Sequence, residues 1–236
     1  MMGIDTTHRS NLPELMDNFE MEGDILRDAL DKIAKINQLL GGNKITLEGV
    51  KSLLKKHQSQ ASISIVDIGC GNGDMLRTLA EYAKKHKLNF LLTGIDANSF
   101  TIQHAQKLSV NYPNIRYKCA DIFDKQTEAY DIVLCTLTLH HFKDEEITSL
   151  LANILPLTKV GIVINDLQRS AIAYYLFKAL CFSFKLNDMS REDGLISILR
   201  GFKKDDLRRY SHTLKLKSFS IKWKWAFRYQ WIIQTA

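Results

Sequence analysis

Between Ile63 and Asp166 the chain alternates short apolar runs with amphipathic stretches, and this alternation restricts the possible fold more than any other feature. ISIVDIG, FLLTGID, IRYKCAD, YDIVLCTL and VGIVIND read as strands, whereas DMLRTLAEYAKKH, SFTIQHAQKL and EEITSLLANIL carry apolar residues at helical spacing. Strands that are apolar throughout and separated by helices predict a parallel sheet buried on both faces. The right-handed crossover rule makes that sheet doubly wound. The closing stretch LKSFSIKWKWAFRYQWIIQ leaves no room for a crossover helix, so its two strands are expected to pair antiparallel.

The flanks read as helical. From Pro13 to Leu40 apolar residues recur at Ile25, Leu26, Leu30, Ile33, Ile36 and Leu39, and the pattern stops at Gly41-Gly42. A second helix is expected with Thr46 as its cap, running through LEGVKSLLKKH. After the fifth strand, AIAYYLFKALCFSF and SREDGLISILRGF read as two more helices. The expectation is a single domain over 1–236. It comprises an N-terminal helical lid (1–58), a ligand-binding core (60–166), a helical substrate cover (167–212) and C-terminal antiparallel strands (213–236), with disorder confined to about the first ten residues.

Composition removes several function classes. The longest apolar run, Ala171 to Phe184, is about 14 residues with Lys178 inside it, short of the roughly 20 that cross a bilayer. Cys70, Cys119, Cys135 and Cys181 show neither metal nor disulfide-framework spacing, and the first residues form no apolar export segment. A cytoplasmic protein without a metal is the expectation. Residues 168–236 hold 14 lysines and arginines against 5 acids, a bias that permits an anionic partner but is more often a solvated surface.

The stretch VDIGCGNGDM, Val66 to Met75, places a glycine turn between the first strand and its helix. Such a turn lets backbone N–H groups and a helix N-terminus approach a ligand. A dinucleotide fingerprint needs glycine where this chain has Asp74, and a phosphate-binding loop needs a Gly-Lys-Ser/Thr ending that is absent. Asp67 would repel a pyrophosphate and suits a ligand with an amino group. Asp96, 23 residues beyond Gly73, ends the second strand beside that turn, where a carboxylate can accept both ribose hydroxyls; the competing role is a helix N-cap. Asp121, after the third strand, is a candidate for an adenine amino group or an ordinary loop residue.

With VDIGCGNGDM, GID, ADIF and YDIVLCTLTLHHF in this order, the segment from about 60 to 166 resembles class I S-adenosylmethionine-dependent methyltransferases. The resemblance implies a Rossmann-like, seven-stranded, mostly parallel sheet and S-adenosylmethionine as cofactor. It implies that Asp67, Gly69, Cys70, Gly71, Asn72 and Gly73 surround the methionine moiety, that Asp96 with Ala97 holds the ribose, that Asp121 and Ile122 frame the adenine, and that Cys135 and Thr136 line the sulfonium side. PELMD, INQLLGG, NDLQRSAIAYYLFK and WAFRYQ in the flanks are similar to bacterial methyltransferases associated with type III polyketide synthases, which implies O-methylation of a lipophilic phenol, enol or pyrone-like acceptor.

Methyl transfer from a sulfonium is an in-line displacement, so the protein must hold a nucleophile about 3 Å from the methyl carbon and exclude water. A phenol or enol gains from a base, and His140, His141 and Asp166 sit at the carboxyl edge where the donor is expected. The competing roles are packing or capping for His140, a solvent-facing position for His141 and loop capping for Asp166. Tyr174, Tyr175, Phe177, Phe182 and Phe184 either cover the substrate or pack the helix; Arg191 and Arg228 either bind an oxyanion or lie on the surface.

Within methyl transfer, C-methylation of a quinone precursor is the alternative. RNA modification is encouraged by KWKWAFRYQW, but the Asn/Asp-Pro-Pro-Tyr arrangement is absent and period-two alternation also describes an amphipathic strand. A nicotinamide oxidoreductase is disfavoured by Asp74 and by His86 where a Tyr-x-x-x-Lys pair starting at Tyr82 needs lysine. A catalytically silent donor-binding protein stays open. The expected partner is a small hydrophobic acceptor, on a monomer or homodimer.

Overall fold

The computed structural model describes residues 4–55, 62–124, 127–184 and 186–235. Helix α1 (Asp24–Leu39) turns sharply into α2 (Gly42–Leu54) because Gly41 adopts the left-handed conformation, φ +76°, that a side chain would resist. This start overturns Thr46 as a cap. Thr46 lies one turn inside α2, fully buried, with its hydroxyl 3.1 Å from that of Thr136 and accepting from the Asn165 amide at 3.0 Å. The expected end of that helix at Lys56 and His57 lies outside the described residues, as do residues 1–3 of the expected disordered start. Within that start, Arg9 is held: it donates to the carbonyl oxygens of Phe142 and Arg200 and pairs with Asp144 at 2.7 Å.

Then β1 (Ile63–Ile68), α3 (Asp74–His86), β2 (Phe90–Asp96), α4 (Ser99–Leu108), β3 (Ile115–Cys119), β4 (Tyr130–Thr136), α5 (Asp144–Ile154) and β5 (Thr158–Leu167) alternate as expected. The order is β3-β2-β1-β4-β5, all parallel, extended by β7 (Arg228–Gln234) antiparallel to β5 and by β6 (Ser218–Lys224) at the edge. Strand order reverses between β1 and β4, the place where open α/β sheets form a ligand crevice at their carboxyl ends.

Strand alternation divides the core in two. Ile132 and Leu134 face α2 and α3, packing with Val50, Leu53, Leu76 and Leu79. Val133 and Cys135 face the other way, toward Ile147, Leu150 and Leu151 of α5. Cys135, fully buried in that second layer, points away from the crevice, which corrects its expected place beside a sulfonium.

The segment after β5 folds into α6 (Ala171–Ser183), α7 (Asp188–Arg200) and α8 (Lys204–Thr213). The sequence reading missed α8, whose polar run KDDLRRYSHT carries two anchors three residues apart, Leu207 and Tyr210, both 1% exposed. Trp231 and Tyr229 are buried in the sheet while Trp223 and Trp225 are exposed, so KWKWAFRYQW is an amphipathic hairpin rather than one stacking surface. On α6, Phe177 meets the crevice, whereas Tyr175 and Phe182 face outward. Among the described residues no helix is long and apolar enough to cross a membrane.

Candidate active site

A cavity of about 1520 Å³ occupies the carboxyl edge of the sheet. It is floored by the turns after β1, β2 and β4 and roofed by residues 7–19, α1, α6 and α7. Asp67, Gly69, Cys70, Gly71 and Asn72 line it, as do Asp96 with Ala97, Asp121 with Ile122, and Thr136. Gly73, Cys135 and Asp166 do not line it. A Cβ on Gly73, at φ +77°, would sit 2.0 Å from the Tyr117 hydroxyl, so this glycine is required for packing and for starting α3 rather than for contact with the cavity. At Gly71 the space beside the backbone is open: a Cβ would meet nothing within 4 Å.

The floor is acidic and short of partners. Asp67 is 1% exposed and its Oδ1 has no hydrogen-bond partner. Burial pushes its carboxyl well above the usual range, and the charges of Asp74 and Asp96 add to the effect. Burial also raises Asp96, against the hydrogen bonds it accepts from the backbone N–H groups of Asn98 and Gly71, each at 3.0 Å. The helix-capping role belongs to Asn98, whose side chain accepts from Thr101 N at 2.8 Å. Asp121 is exposed, lines the cavity and accepts from Phe123 N at 2.9 Å, a local loop bond.

A buried dyad stands at the far end. His140, on the 3-10 turn Leu139–His141 after β4, has its Nδ1 2.7 Å from Oδ1 of Asp166 on β5, and the two side chains are 4% and 1% exposed. Burial raises the Asp166 carboxyl, but the charge and hydrogen bond of His140 and the Leu167 N–H bring it below the usual range. An ionised Asp166 requires Nδ1 to be the donor, and in the neutral imidazole Nε2 is then the lone-pair acceptor. That atom lies 3.9 Å from Oε1 of Glu14 on the roof. His140 lines the cavity and Asp166 stands behind it, so Asp166 positions the imidazole and is not itself in place to touch an acceptor. Capping of α5 falls to Lys143 N and Glu146, not to His140.

His141 is not solvent-facing. Its Nδ1 is 2.7 Å from Oδ1 of Asp17, which also pairs with Arg200 at 2.6 Å. Burial pushes Asp17 up, and the hydrogen bonds from His141 and Arg200 bring it far below the usual range. Burial raises Glu14, against His141, Ser197 and Arg200. Arg9 and Arg200 donate to the His140 carbonyl oxygen at 3.1 and 3.0 Å, and Arg200 also bonds the His141 carbonyl oxygen. Glu14, His140 and His141 bring three ligand-type atoms within 4.8 Å, a set able to hold a cation, although the Arg200 guanidinium already stands 3.5 Å from Glu14. The sequence reading gave Arg9, Glu14, Asp17 and Arg200 no role; an isolated charge far from the sheet carries no pattern that announces its partner.

The two arginines singled out in the sequence diverge. Arg191 pairs with Asp188 at 3.0 Å on the surface of α7. Arg228, 4% exposed, lines the cavity, which overturns a surface role.

A sequence profile for the family described as "Methyltransferase domain" matches residues 65–161, the strands and turns that build this crevice. Residues 65–161 are thus similar to methyltransferase domains, in line with the class I S-adenosylmethionine-dependent resemblance of the motifs. The ubiquinone biosynthesis O-methyltransferase of Chromobacterium violaceum is 29% identical over 153 residues, 62% of this chain, and the match spans 60% of that protein's length. Among solved structures, the plantazolicin methyltransferase BpumL in complex with SAH superposes with a TM-score of 0.66 at 20% identity, over 87% of this chain and 88% of that one. The magnesium protoporphyrin IX methyltransferase ChlM from Synechocystis with bound SAM gives 0.55 at 16% identity, over 93% and 88%. At these identities the structures establish the methyltransferase fold alone.

Proposed function

We propose that the chain transfers a methyl group from S-adenosylmethionine to an oxygen of a small, largely apolar acceptor. The observation that carries this reading is the buried His140–Asp166 pair, whose histidine lines the cavity that also exposes the glycine turn. The donor, when bound, supplies an electrophilic methyl group on a sulfonium. Its cationic nucleoside character fits the orphaned Oδ1 of Asp67 and the open space at Gly71. In this reading Asp96 accepts the ribose hydroxyls, Asp121 and Ile122 border the adenine, and Thr136 lies along the methyl path. Residues 7–19 with α1, α6 and α7 serve as the cover that excludes water.

His140 accepts the acceptor's hydroxyl proton at Nε2, and Asp166 holds the tautomer that leaves this atom free and stabilises the imidazolium that results. The similarity of the chain to a ubiquinone biosynthesis O-methyltransferase favours an oxygen nucleophile. The test is transfer of isotope-labelled methyl to pooled lipophilic phenols, enols, quinone precursors and RNA, with products resolved by mass spectrometry. Methyl ethers of low-mass acceptors are expected. Label only in RNA, or only on ring carbons, would overturn the reading.

A further inference from the structure

Arg228 opens β7, 4% exposed, and its Nε and Nη1 have no hydrogen-bond partner. Other buried arginines of this chain are satisfied. Arg169 donates to the Gly201 carbonyl oxygen at 2.7 Å and pairs with Asp206 at 3.1 Å, and Arg200 has Asp17 and the carbonyl oxygens of His140 and His141. Burying two of the three guanidinium nitrogens unsatisfied is strongly unfavourable, so its place is explained by a ligand that completes it. Burial pulls Arg228 down to about 10 while Asp166 and Asp74 hold it up, so it remains a cation at neutral pH.

Its position says which ligand. Strand alternation puts Arg228 on the face of β7 shared with Gln230, which donates to the Ile45 carbonyl oxygen, and with Ile232, which packs on Val50 and Leu53. There it opens into the cavity opposite Leu167, its register partner on β5. In the sheet order β1-β4-β5-β7, β7 is three strands from the glycine turn, about 14 Å at the usual strand spacing, and next to the strand that carries Asp166. Leu167, the register partner of Arg228, and Phe227, its chain neighbour, line the cavity with it, as does Phe177.

Resting on the methyl-transfer reading, the geometry points to Arg228 as the anchor for an anionic oxygen of the acceptor, a carboxylate or an acidic enolate, whose apolar body lies along Leu167, Phe177 and Phe227. The planar fork of the guanidinium suits bidentate contact with such a group. The acceptor class is thereby narrowed to acidic molecules with an apolar frame. Its anion faces β7 and its reacting oxygen faces His140.

Calorimetry on the full chain saturated with S-adenosylhomocysteine tests this with two probes, 4-hydroxybenzoate and the neutral 4-hydroxybenzamide. Wild type is expected to bind the carboxylate at least tenfold more tightly than the amide, and Arg228→Met is expected to abolish that preference while binding S-adenosylhomocysteine within twofold of wild type. Arg228→Lys keeps the charge without the fork and is expected to retain part of the preference; it carries the test if the methionine variant does not fold. Absence of a carboxylate preference in wild type, its persistence in Arg228→Met, or an undiminished preference in Arg228→Lys overturns the inference. So does a tenfold loss of S-adenosylhomocysteine affinity, which would assign the guanidinium to the donor's own carboxylate. Failure of wild type to bind S-adenosylhomocysteine at all would instead refute the donor reading, and the inference with it.

Discussion

Replacing Asp166 by Asn alters the site by one atom and removes one charge. The carboxylate is 1% exposed and lies 2.7 Å from Nδ1 of His140, so its negative charge fixes which ring nitrogen carries the proton. An asparagine that turns its N–H₂ toward Nδ1 makes that nitrogen the acceptor, and the proton moves to Nε2, where it blocks proton removal from the acceptor. Losing a positioned general base lowers turnover by about 10²–10⁴-fold, roughly 3–5 kcal/mol in the barrier at 1.36 kcal/mol per decade. Donor binding should be preserved, since Asp166 does not line the cavity. The assay is kcat at saturating donor and acceptor, with S-adenosylhomocysteine affinity and thermal midpoint as controls. A rate within threefold of wild type, from a folded variant with unchanged donor affinity, would show that the dyad is structural and the base assignment wrong.

Other outcomes follow from the same geometry. Asp96→Ala should weaken donor binding by about 1.5–3 kcal/mol, the range of a hydrogen bond to a charged group, and calorimetry returning an unchanged Kd would remove the ribose role. Asp67, Asp74 and Asp96 have raised carboxyl pKa values in the free protein, so a cationic donor that favours their ionised forms must expel protons on binding. S-adenosylmethionine affinity should therefore rise with pH above 4, more steeply than that of S-adenosylhomocysteine, which lacks the sulfonium charge, and titrations in buffers of different ionisation heat should register proton release. Asp17, Asp144 and Asp166 are depressed in the fold, so the stability they contribute is complete above the unfolded value near 3.8 and is lost as pH falls through their lower folded values. Scanning calorimetry should record a falling midpoint below pH 4, with a shallower fall in Asp17→Asn; identical slopes would discount the Asp17 cluster. Gly69→Ala should lose stability and donor binding together, because its Cβ would stand 2.5 Å from Thr138 Cγ2 at φ +69°.

The parts of this molecule legible in the sequence are those governed by local period. Apolar runs gave the five parallel strands, and a short connection gave the antiparallel hairpin, because strand pairing and crossover need chain length that can be read directly. The start of α2 was misread because Thr46 is a good capping residue whose hydroxyl is taken by Thr136 and Asn165 from the sheet, contacts that no local window contains. Helix α8 escaped because two anchors suffice when Phe202 and Trp231 supply the rest of the packing. In the site, the residues around the glycine turn were legible as motif, but which way a side chain points was not. Cys135 and Thr136 are neighbours on one strand, and alternation sends one to the core and the other to the cavity. His140 and Asp166 were both singled out, yet their partnership spans 26 residues and exists only once β4 and β5 pair.

Whether the cavity is a methyl-donor site is tested most directly by calorimetric titration of the full chain with S-adenosylmethionine and, separately, with NADH. Saturable binding of S-adenosylmethionine, weakened in Asp96→Ala and absent for NADH, is the predicted result. Binding of NADH without binding of the methyl donor would contradict it.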